Sequence, residues 1–332
     1  MMESIELQKF FFQHIKSKLP AHFSFAEEIA DILQISTDSS YRRIRGEKPI
    51  SFEEIQKLCK NYQISLDHIL SIDSNSTVFY GNWVEVDNFD FDKYLNDMLL
   101  QLSSINKADK KMMYYEAKDI PPFHHFQYRE LASFKYFFWM KTILGYPEFS
   151  KTCFEECNLK ESLHKTGLEI IKEYNKFPSV EIWGEDTINS TIRQIEFYRD
   201  SGLFKKKESI SVLYNQLEEL VLNKEKEAEA GEKFLANEKP SGNGNTFQFY
   251  FNEVFLGHNS ILTETDNIQT VFINHGVLNY MTTRDIRFCE NTKKTLDNTM
   301  RKSSLISSVN EKDRYRFFHL LKSKIEKARE RK

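Results

Sequence analysis

Residues 35–49 read ISTDSSYRRIRGEKP. Small hydroxyl residues open this stretch, two adjacent arginines follow, and Gly46 stands where a left-handed helix C-cap is expected. Either Ser36 or Thr37 can serve as the N-cap, so the pattern predicts a short basic helix ending at Gly46. A helix that presents arginines and hydroxyls at its surface is suited to contact phosphates and base edges.

Apolar residues at helical spacing predict further short helices on both sides of this stretch. Two of them begin with a predicted capping box, Ser24 with Glu27 and Ser51 with Glu54. Pro20 ends the first helix, and Ser65 opens a fifth. Five short helices joined by tight connections predict a compact all-α domain. The apolar positions expected to face its core are Leu7, Phe11, Ile15, Phe25, Ile29, Ile32, Leu33, Phe52, Ile55, Leu58, Tyr62, Leu66, Ile69 and Leu70.

In combination, these elements resemble the lambda-repressor-like, xenobiotic-response-element type of bacterial helix-turn-helix regulator over residues 20–70. The matching segments are Glu28-Ile29-Ala30, Ile35-Ser36, Arg45-Gly46, Pro49, Glu53-Glu54 and the sequence ISLDHIL at 64–70. The resemblance implies a domain that binds double-stranded operator DNA through its third helix, usually as a dimer.

The resemblance also implies which side chains contact DNA. The N-terminal part of the third helix reaches base edges in the major groove, where arginine commonly binds guanine. Arg45 and Lys48 lie at the helix end and in the following loop, so we expect them to contact phosphates. The predicted DNA-binding residues are Thr37, Asp38, Ser39, Ser40, Arg42, Arg43, Arg45 and Lys48.

The chain departs from the family pattern at two places. Phe25 or Ala26 stands where a glutamine commonly opens the second helix, which removes an expected phosphate or base contact. The apolar pair of the third helix falls one residue later than usual, at Tyr41 and Ile44, and we expect both to face the core. The alternative for the arginines is a solvated face paired with acidic neighbours. We favour DNA contact because flanking helices are correctly spaced around them.

Composition limits the kind of protein this can be. The 332 residues suit two or three domains, and a formal net charge of −3 argues against a generally basic coat, so DNA contact must come from a local patch. No secretory signal is visible at the N-terminus. The apolar stretch 134–144 is interrupted by Lys135 and Lys141 and cannot span a bilayer. We expect a cytoplasmic protein without membrane contact.

Beyond a small polar hinge at 71–76, the chain predicts a larger body. Heptad spacing over 91–105 indicates either a helix packed on this body, which we favour, or a dimer seam. A strand at 111–120, a buried aromatic helix at 126–144, further helices, and strands at 247–251, 261–265 and 268–274 follow, with 256–259 as a hairpin turn. The predicted fold is an N-terminal all-α helix-turn-helix domain (1–74), a hinge and linker helix (75–110), and a larger, mostly helical α+β effector domain (111–332).

The sequence therefore predicts a DNA-binding transcriptional regulator whose C-terminal body senses a small-molecule or protein effector, or oligomerises. We expect a homodimer, with 91–105 or a strand edge within 247–274 as contacts. The alternatives are a helix-turn-helix module for protein assembly without operator binding, and an enzyme in the body. No P-loop, nucleophile elbow, zincin helix or dinucleotide fingerprint is present, so we expect neither catalysis nor a cofactor.

Two groups of residues raise the question of a metal site or a ligand pocket. Cys153, Cys157 and His164 have the spacing of a metal half-site, but buried reduced thiols are commoner and we expect no metal. His124 and His125 are adjacent, so their side chains point apart, and a surface or capping role is commoner than a ligand pair. Aromatics that line either a pocket or, more often, a core are Tyr114, Tyr115, Phe123, Phe126, Trp139 and Trp183.

Overall fold

A computed structural model of the chain describes residues 4–16, 24–62, 64, 66, 77–81, 89–155, 160–242, 246–254 and 256–331. The chain divides into two compact units, Met1–Val78 and Phe79–Lys332. We call them the N-terminal unit and the body.

Four helices make up the described part of the N-terminal unit: α1 (Ser4–Lys16), α2 (Phe25–Leu33), α3 (Thr37–Ile44) and α4 (Phe52–Tyr62). Their apolar faces form one small core, because the helical spacing of those residues places them on one side of each helix. Its buried members are Phe11, Phe12, Ile15, Ile29, Leu33, Leu58 and Ile64. Of the predicted fifth helix, only Leu66 is described, and it packs against this core. Ser65, Ile69 and Leu70 lie outside the described residues, as does the hinge at 71–76.

The ends of α3 and α4 follow the predicted capping chemistry. The Ser36 hydroxyl accepts a hydrogen bond from the Ser39 amide at 3.2 Å, and Gly46 adopts a φ of +76° just beyond α3. At α4, the Glu54 amide donates to the Ser51 hydroxyl and the Ser51 amide donates to the Glu54 carboxylate, so this capping box is confirmed.

Two details of the helices differ from the prediction. Ser24 precedes α2, but its side chain makes no capping hydrogen bond, so the box with Glu27 is wrong. Phe52 is 85% exposed rather than internal. It is the first residue of α4, and the side of this helix that packs on the core begins one turn later, at Ile55 and Leu58.

The body is built on one mixed sheet. Its strands are β1 (Tyr80–Gly81), β2 (Lys111–Ala117), β3 (Ser179–Gly184), β4 (Phe247–Asn252), β5 (Ser260–Thr265), β6 (Ile268–His275), β7 (Asn279–Thr283) and β8 (Ser304–Leu305). Their order in the sheet is β1-β7-β6-β5-β2-β3-β4-β8. Strands β2, β3 and β4 are parallel to one another, and the remaining pairs are antiparallel.

Apolar clusters cover both faces of this sheet. Trp183 of β3 belongs to the large cluster formed with most of the helices, whereas Val180 and Ile182 belong to a smaller cluster with the helix Ile286–Arg301. This division follows from the alternation of side chains along a strand. The helices of the body are α5 (Phe91–Asn106), α6 (Pro122–His125), α7 (Arg129–Phe138, continued by a π-helical turn at Trp139–Ile143), α8 (Glu161–Asn175), α9 (Asn189–Asp200), α10 (Glu208–Ala230), α11 (Ile286–Arg301) and α12 (Glu311–Glu330).

The connection at 256–259 is not a hairpin turn, which corrects the sequence prediction. Strands β4 and β5, which it joins, are separated in the sheet by β3 and β2. Strand β3 was not predicted at all, although it lies between β2 and β4. Its six residues, SVEIWG, are buried on both faces, so they lack the polar alternation of a half-exposed strand.

The two segments suggested for dimer contact, residues 91–105 and the strands within 247–274, make contacts inside the body. Phe91, Leu95 and Leu102 of α5 are buried in the large cluster, and α5 packs against α8. The predicted linker helix is thus part of the body core. Strands β4, β5 and β6 each have a neighbouring strand on both sides.

Among the described residues, no helix is both long enough and apolar enough to cross a bilayer.

Candidate nucleic-acid interface

One side of α3 and the loop after it presents polar and basic side chains to solvent. Ser39 is half-buried at the margin of this surface. The spacing of the exposed residues is that of one helix face, because positions three and four apart lie together. We call this surface the α3 face; its exposed members are Thr37, Asp38, Tyr41, Arg42, Arg45 and Lys48.

Two predicted DNA-binding residues do not lie on the α3 face. Ser40 is fully buried and Arg43 is 5% exposed. The Arg43 guanidinium donates to both carboxylate oxygens of Glu54 in α4, at 3.0 and 2.6 Å, and to the backbone carbonyl of Ser39 at 3.2 Å. The expectation that Arg43 is presented to DNA is therefore wrong, because its donors are committed inside the unit.

The Arg43–Glu54 pair joins α3 to α4. Partial burial acts to raise the pKa of Glu54, but the Arg43 hydrogen bonds and the Ser51 amide outweigh it, so this pKa lies below its ordinary value. The same carboxylate thus caps α4 and holds α3. Because two planar groups meet through paired hydrogen bonds, the contact fixes the orientation of one helix relative to the other.

Tyr41 lies on the α3 face, whereas the sequence analysis expected it to face the core. It is 49% exposed rather than internal, and the Arg45 guanidinium carbon lies 6.0 Å from the centre of its ring. Ile44 packs against the core as expected, but the buried positions of the helix are Ser40 and Arg43 rather than Tyr41. Since neither Ser40 nor Arg43 is apolar, helical periodicity gave no signal for their burial.

Gln8 of α1 holds the loop between α3 and α4. Its amide nitrogen donates to the carbonyls of Arg43 (2.7 Å) and Lys48 (2.8 Å), and its amide oxygen accepts from the Ile50 amide (3.1 Å). One side chain thus satisfies three backbone groups of the segment that carries Arg45 and Lys48. Sequence reasoning did not identify this residue, because its partners lie 35 to 42 positions away.

The body contains a buried polar cluster centred on Glu181 of β3. The His124 Nε2 atom lies 2.9 and 3.1 Å from the two carboxylate oxygens, the Tyr174 hydroxyl donates at 2.5 Å and the Trp183 indole donates at 2.8 Å. Burial alone would raise the pKa of Glu181, but His124 and Lys224 lower it well below its ordinary value. Glu181 is therefore a fully buried carboxylate.

Two lysines lie close to this cluster. Lys224 forms an ion pair with Glu227, and both side chains are almost completely buried. The Lys233 amine donates to the Tyr174 carbonyl at 2.7 Å and lies 3.6 Å from the centre of the Tyr174 ring. Burial lowers the pKa of Lys233 well below its ordinary value. The cluster thus joins α6, α8, β3 and α10 through charged and aromatic groups.

His125 belongs to a separate buried group. Its Nε2 atom lies 3.2 Å from the Thr191 hydroxyl, and the Lys135 amine donates to the Gln194 amide oxygen at 2.7 Å. Burial lowers the pKa of Lys135 to about 8. The side chains of His124 and His125 do point to different partners, but both are fully buried, so the expected surface or capping role is wrong.

The other sequence candidates do not assemble into a site in the described part of the body. No group of three or more histidine, cysteine or acidic side chains there could hold a metal ion. Cys153 is exposed rather than a buried thiol, and Cys157 lies outside the described residues. Tyr115, Phe123 and Trp183 are members of the body core, as are Phe126 and Trp139.

Comparison with known protein families finds a match that begins in the N-terminal unit. The family model of the BetR domain matches residues 16–89. This is a helix-turn-helix-like domain family associated with transcription regulation. No curated protein and no solved structure matches the chain.

Proposed function

We propose that the protein is a transcriptional regulator that places α3 in the major groove of an operator. The observation that carries this proposal is the α3 face: Arg42 and Tyr41 are exposed in the middle of a helix that Ser36 caps and the Arg43–Glu54 pair holds in place. In this arrangement the α3 face reads bases through Thr37, Asp38, Tyr41 and Arg42, with Ser39 at its margin. Arg45 and Lys48 bind phosphates.

The body, in this proposal, regulates the DNA-binding unit and has no catalytic turnover. It is larger than a DNA-reading domain requires, so sensing, oligomerisation or partner contact is its proposed contribution. We further propose that the chain binds as a homodimer, because two α3 faces double the number of phosphates neutralised at a palindromic site. Sedimentation at micromolar concentration with and without DNA tests this, and a monomeric mass in both conditions would refute the dimer.

The DNA-binding proposal is tested with the full-length chain. Rounds of selection from a random duplex pool should enrich one sequence, and Arg42→Ala should weaken binding to it about 5- to 150-fold, as expected for loss of a base-reading arginine. Lys60→Ala removes the same charge from the exposed last turn of α4 and serves as the matched control. If no sequence is enriched, or if the two variants bind alike, the alternative of a protein-assembly module is favoured.

A further inference from the structure

A groove in the N-terminal unit adjoins the α3 face. It has a volume of about 440 Å³ and lies between α1, the first turn of α2 and the end of α3. Apolar side chains form one part of its wall, and Phe12 among them is almost completely buried. The residues that line it are Lys9, Phe12, Gln13, Lys16, Phe25, Ile44 and Arg45.

The polar part of this wall is entirely cationic or neutral. Lys9 and Lys16 are seven positions apart on α1, which is about two helical turns, so they lie on the same side of that helix. Arg45 adds a third positive charge from the end of α3. Within the described part of the unit, neither lysine forms an ion pair, and no acidic side chain lines the groove.

Arg45 belongs both to this groove and to the α3 face. The Arg45 Nε atom lies 3.2 Å from the Glu47 Oε1 atom, but both side chains are about half exposed, so solvent screens this ion pair strongly. A DNA strand bound by Arg45 at the end of α3 would therefore continue along a surface that already carries two more cations. The two surfaces form one continuous basic path.

The side chains at the start of α2 add no positive charge for that strand. Phe25 lines the groove with a side chain that has no hydrogen-bond donor, and the charged residues of the first turn are Glu27 and Glu28. The positive charge that neutralises a phosphate at this place must therefore come from α1 and α3.

We infer that the groove binds the sugar–phosphate backbone of the DNA strand flanking the major groove that α3 enters. Lys9 and Lys16 each neutralise one phosphate, and Arg45 connects these contacts to those of the α3 face. This inference rests on the proposed function, since it extends the same DNA complex. It makes α1 a sequence-independent part of the binding surface, in contrast to Arg42, which reads a base.

The test measures how the affinity of the full-length chain depends on salt. Each neutralised phosphate contributes about 0.9 to the slope of log affinity against log salt concentration, so Lys9→Gln/Lys16→Gln should make this slope shallower by about 1.8. The loss should be equal on the selected site and on a random duplex, so the ratio of the two affinities stays unchanged. Lys9→Arg/Lys16→Arg should keep the wild-type slope.

A matched control separates local contact from general charge. Lys57→Gln/Lys60→Gln removes two exposed positive charges from α4 and should leave the slope almost unchanged. If the α1 and α4 pairs behave alike, or if the α1 pair changes the affinity ratio, the groove is not a backbone site. If the wild type binds no DNA, both the proposed function and this inference fail. If it binds and depends on Arg42 but not on Lys9 and Lys16, only this inference fails.

Discussion

At the scale of single residues, the contrast between Arg42 and Arg43 shows how far sequence reasoning reaches. The two arginines are adjacent and look equivalent as letters. One helix position turns the Arg42 side chain to solvent and the other turns Arg43 toward Glu54. The partner of Arg43 lies 11 positions away on another helix, so no local spacing rule could distinguish the two roles.

Arg43→Ala should lower the free energy of unfolding of the N-terminal unit, because Arg43 pairs with Glu54 and is not exposed on the α3 face. Removing one member of a mostly buried ion pair leaves the Glu54 carboxylate without its main partner, which costs about 3 kcal/mol of the free energy of unfolding. Hydrogen exchange of the full-length chain should become faster over residues 25–62, whereas Arg42→Ala should leave exchange there unchanged. Unchanged exchange in Arg43→Ala would mean that the pair does not hold α3 to α4.

His124 should make the stability of the body fall in acid. Burial lowers its pKa to about 4, more than the nearby Glu181 raises it, while an unfolded histidine has a pKa near 6.5. The unfolded state therefore binds more protons between about pH 6.5 and 4. The contribution of His124 is complete above this window and is lost as the pH falls, by up to about 1.4 kcal/mol per pH unit.

Burial raises the pKa of Glu227, so this residue changes the free energy of unfolding with pH in the direction opposite to His124. The contribution of His124 is therefore isolated by comparing the wild type with a variant that lacks it. The free energy of unfolding of the wild type minus that of His124→Gln should decrease from pH 6.5 to 4. Urea unfolding followed by tryptophan fluorescence reports on the body alone, because all three tryptophans lie beyond residue 78. A difference that stays constant over this pH range would show that His124 does not titrate as described.

At the scale of elements, amphipathic helices were predictable and the sheet order was not. The helix ends at Ser36, Gly46 and Ser51 follow from local capping chemistry, which a single sequence contains. The pairing of β2 with both β3 and β5 depends on contacts between residues that are 66 to 154 positions apart, for which periodicity carries no information. Dependence on distant contacts also explains why a hairpin was wrongly predicted at 256–259 and why the hydrogen bonds from Gln8 to the loop between α3 and α4 were not predicted.

Gln8→Ala should loosen the loop between α3 and α4. Three backbone groups lose a hydrogen bond, although the Arg43 carbonyl keeps another, from the Gly46 amide. The Ile50 amide should therefore exchange faster with solvent, and the affinity for all DNA sequences should fall together. The affinity ratio between the selected site and a random duplex should change little, because the residues assigned to bases keep their side chains. Gln56→Ala, on the exposed part of α4, is the matched control. Equal behaviour of the two variants would show that Gln8 does not position the loop.

In the whole molecule, we assign DNA binding to the N-terminal unit and regulation to the body. The N-terminal unit carries the α3 face and the segment matched by the BetR domain begins within it. The body buries Glu181, Lys224 and Glu227 in its interior, where charged groups cost stability unless they are paired. The regulatory role of the body stays a prediction.

Base reading by the α3 face is tested by measuring the binding of the full-length chain to the selected operator and to every single-base-pair substitution of it. We expect the wild type to discriminate at several positions, whereas Arg42→Ala should lose about 1–3 kcal/mol of discrimination at one base pair and keep it at the others. If Arg42→Ala discriminates at every position as the wild type does, the α3 face does not read the operator.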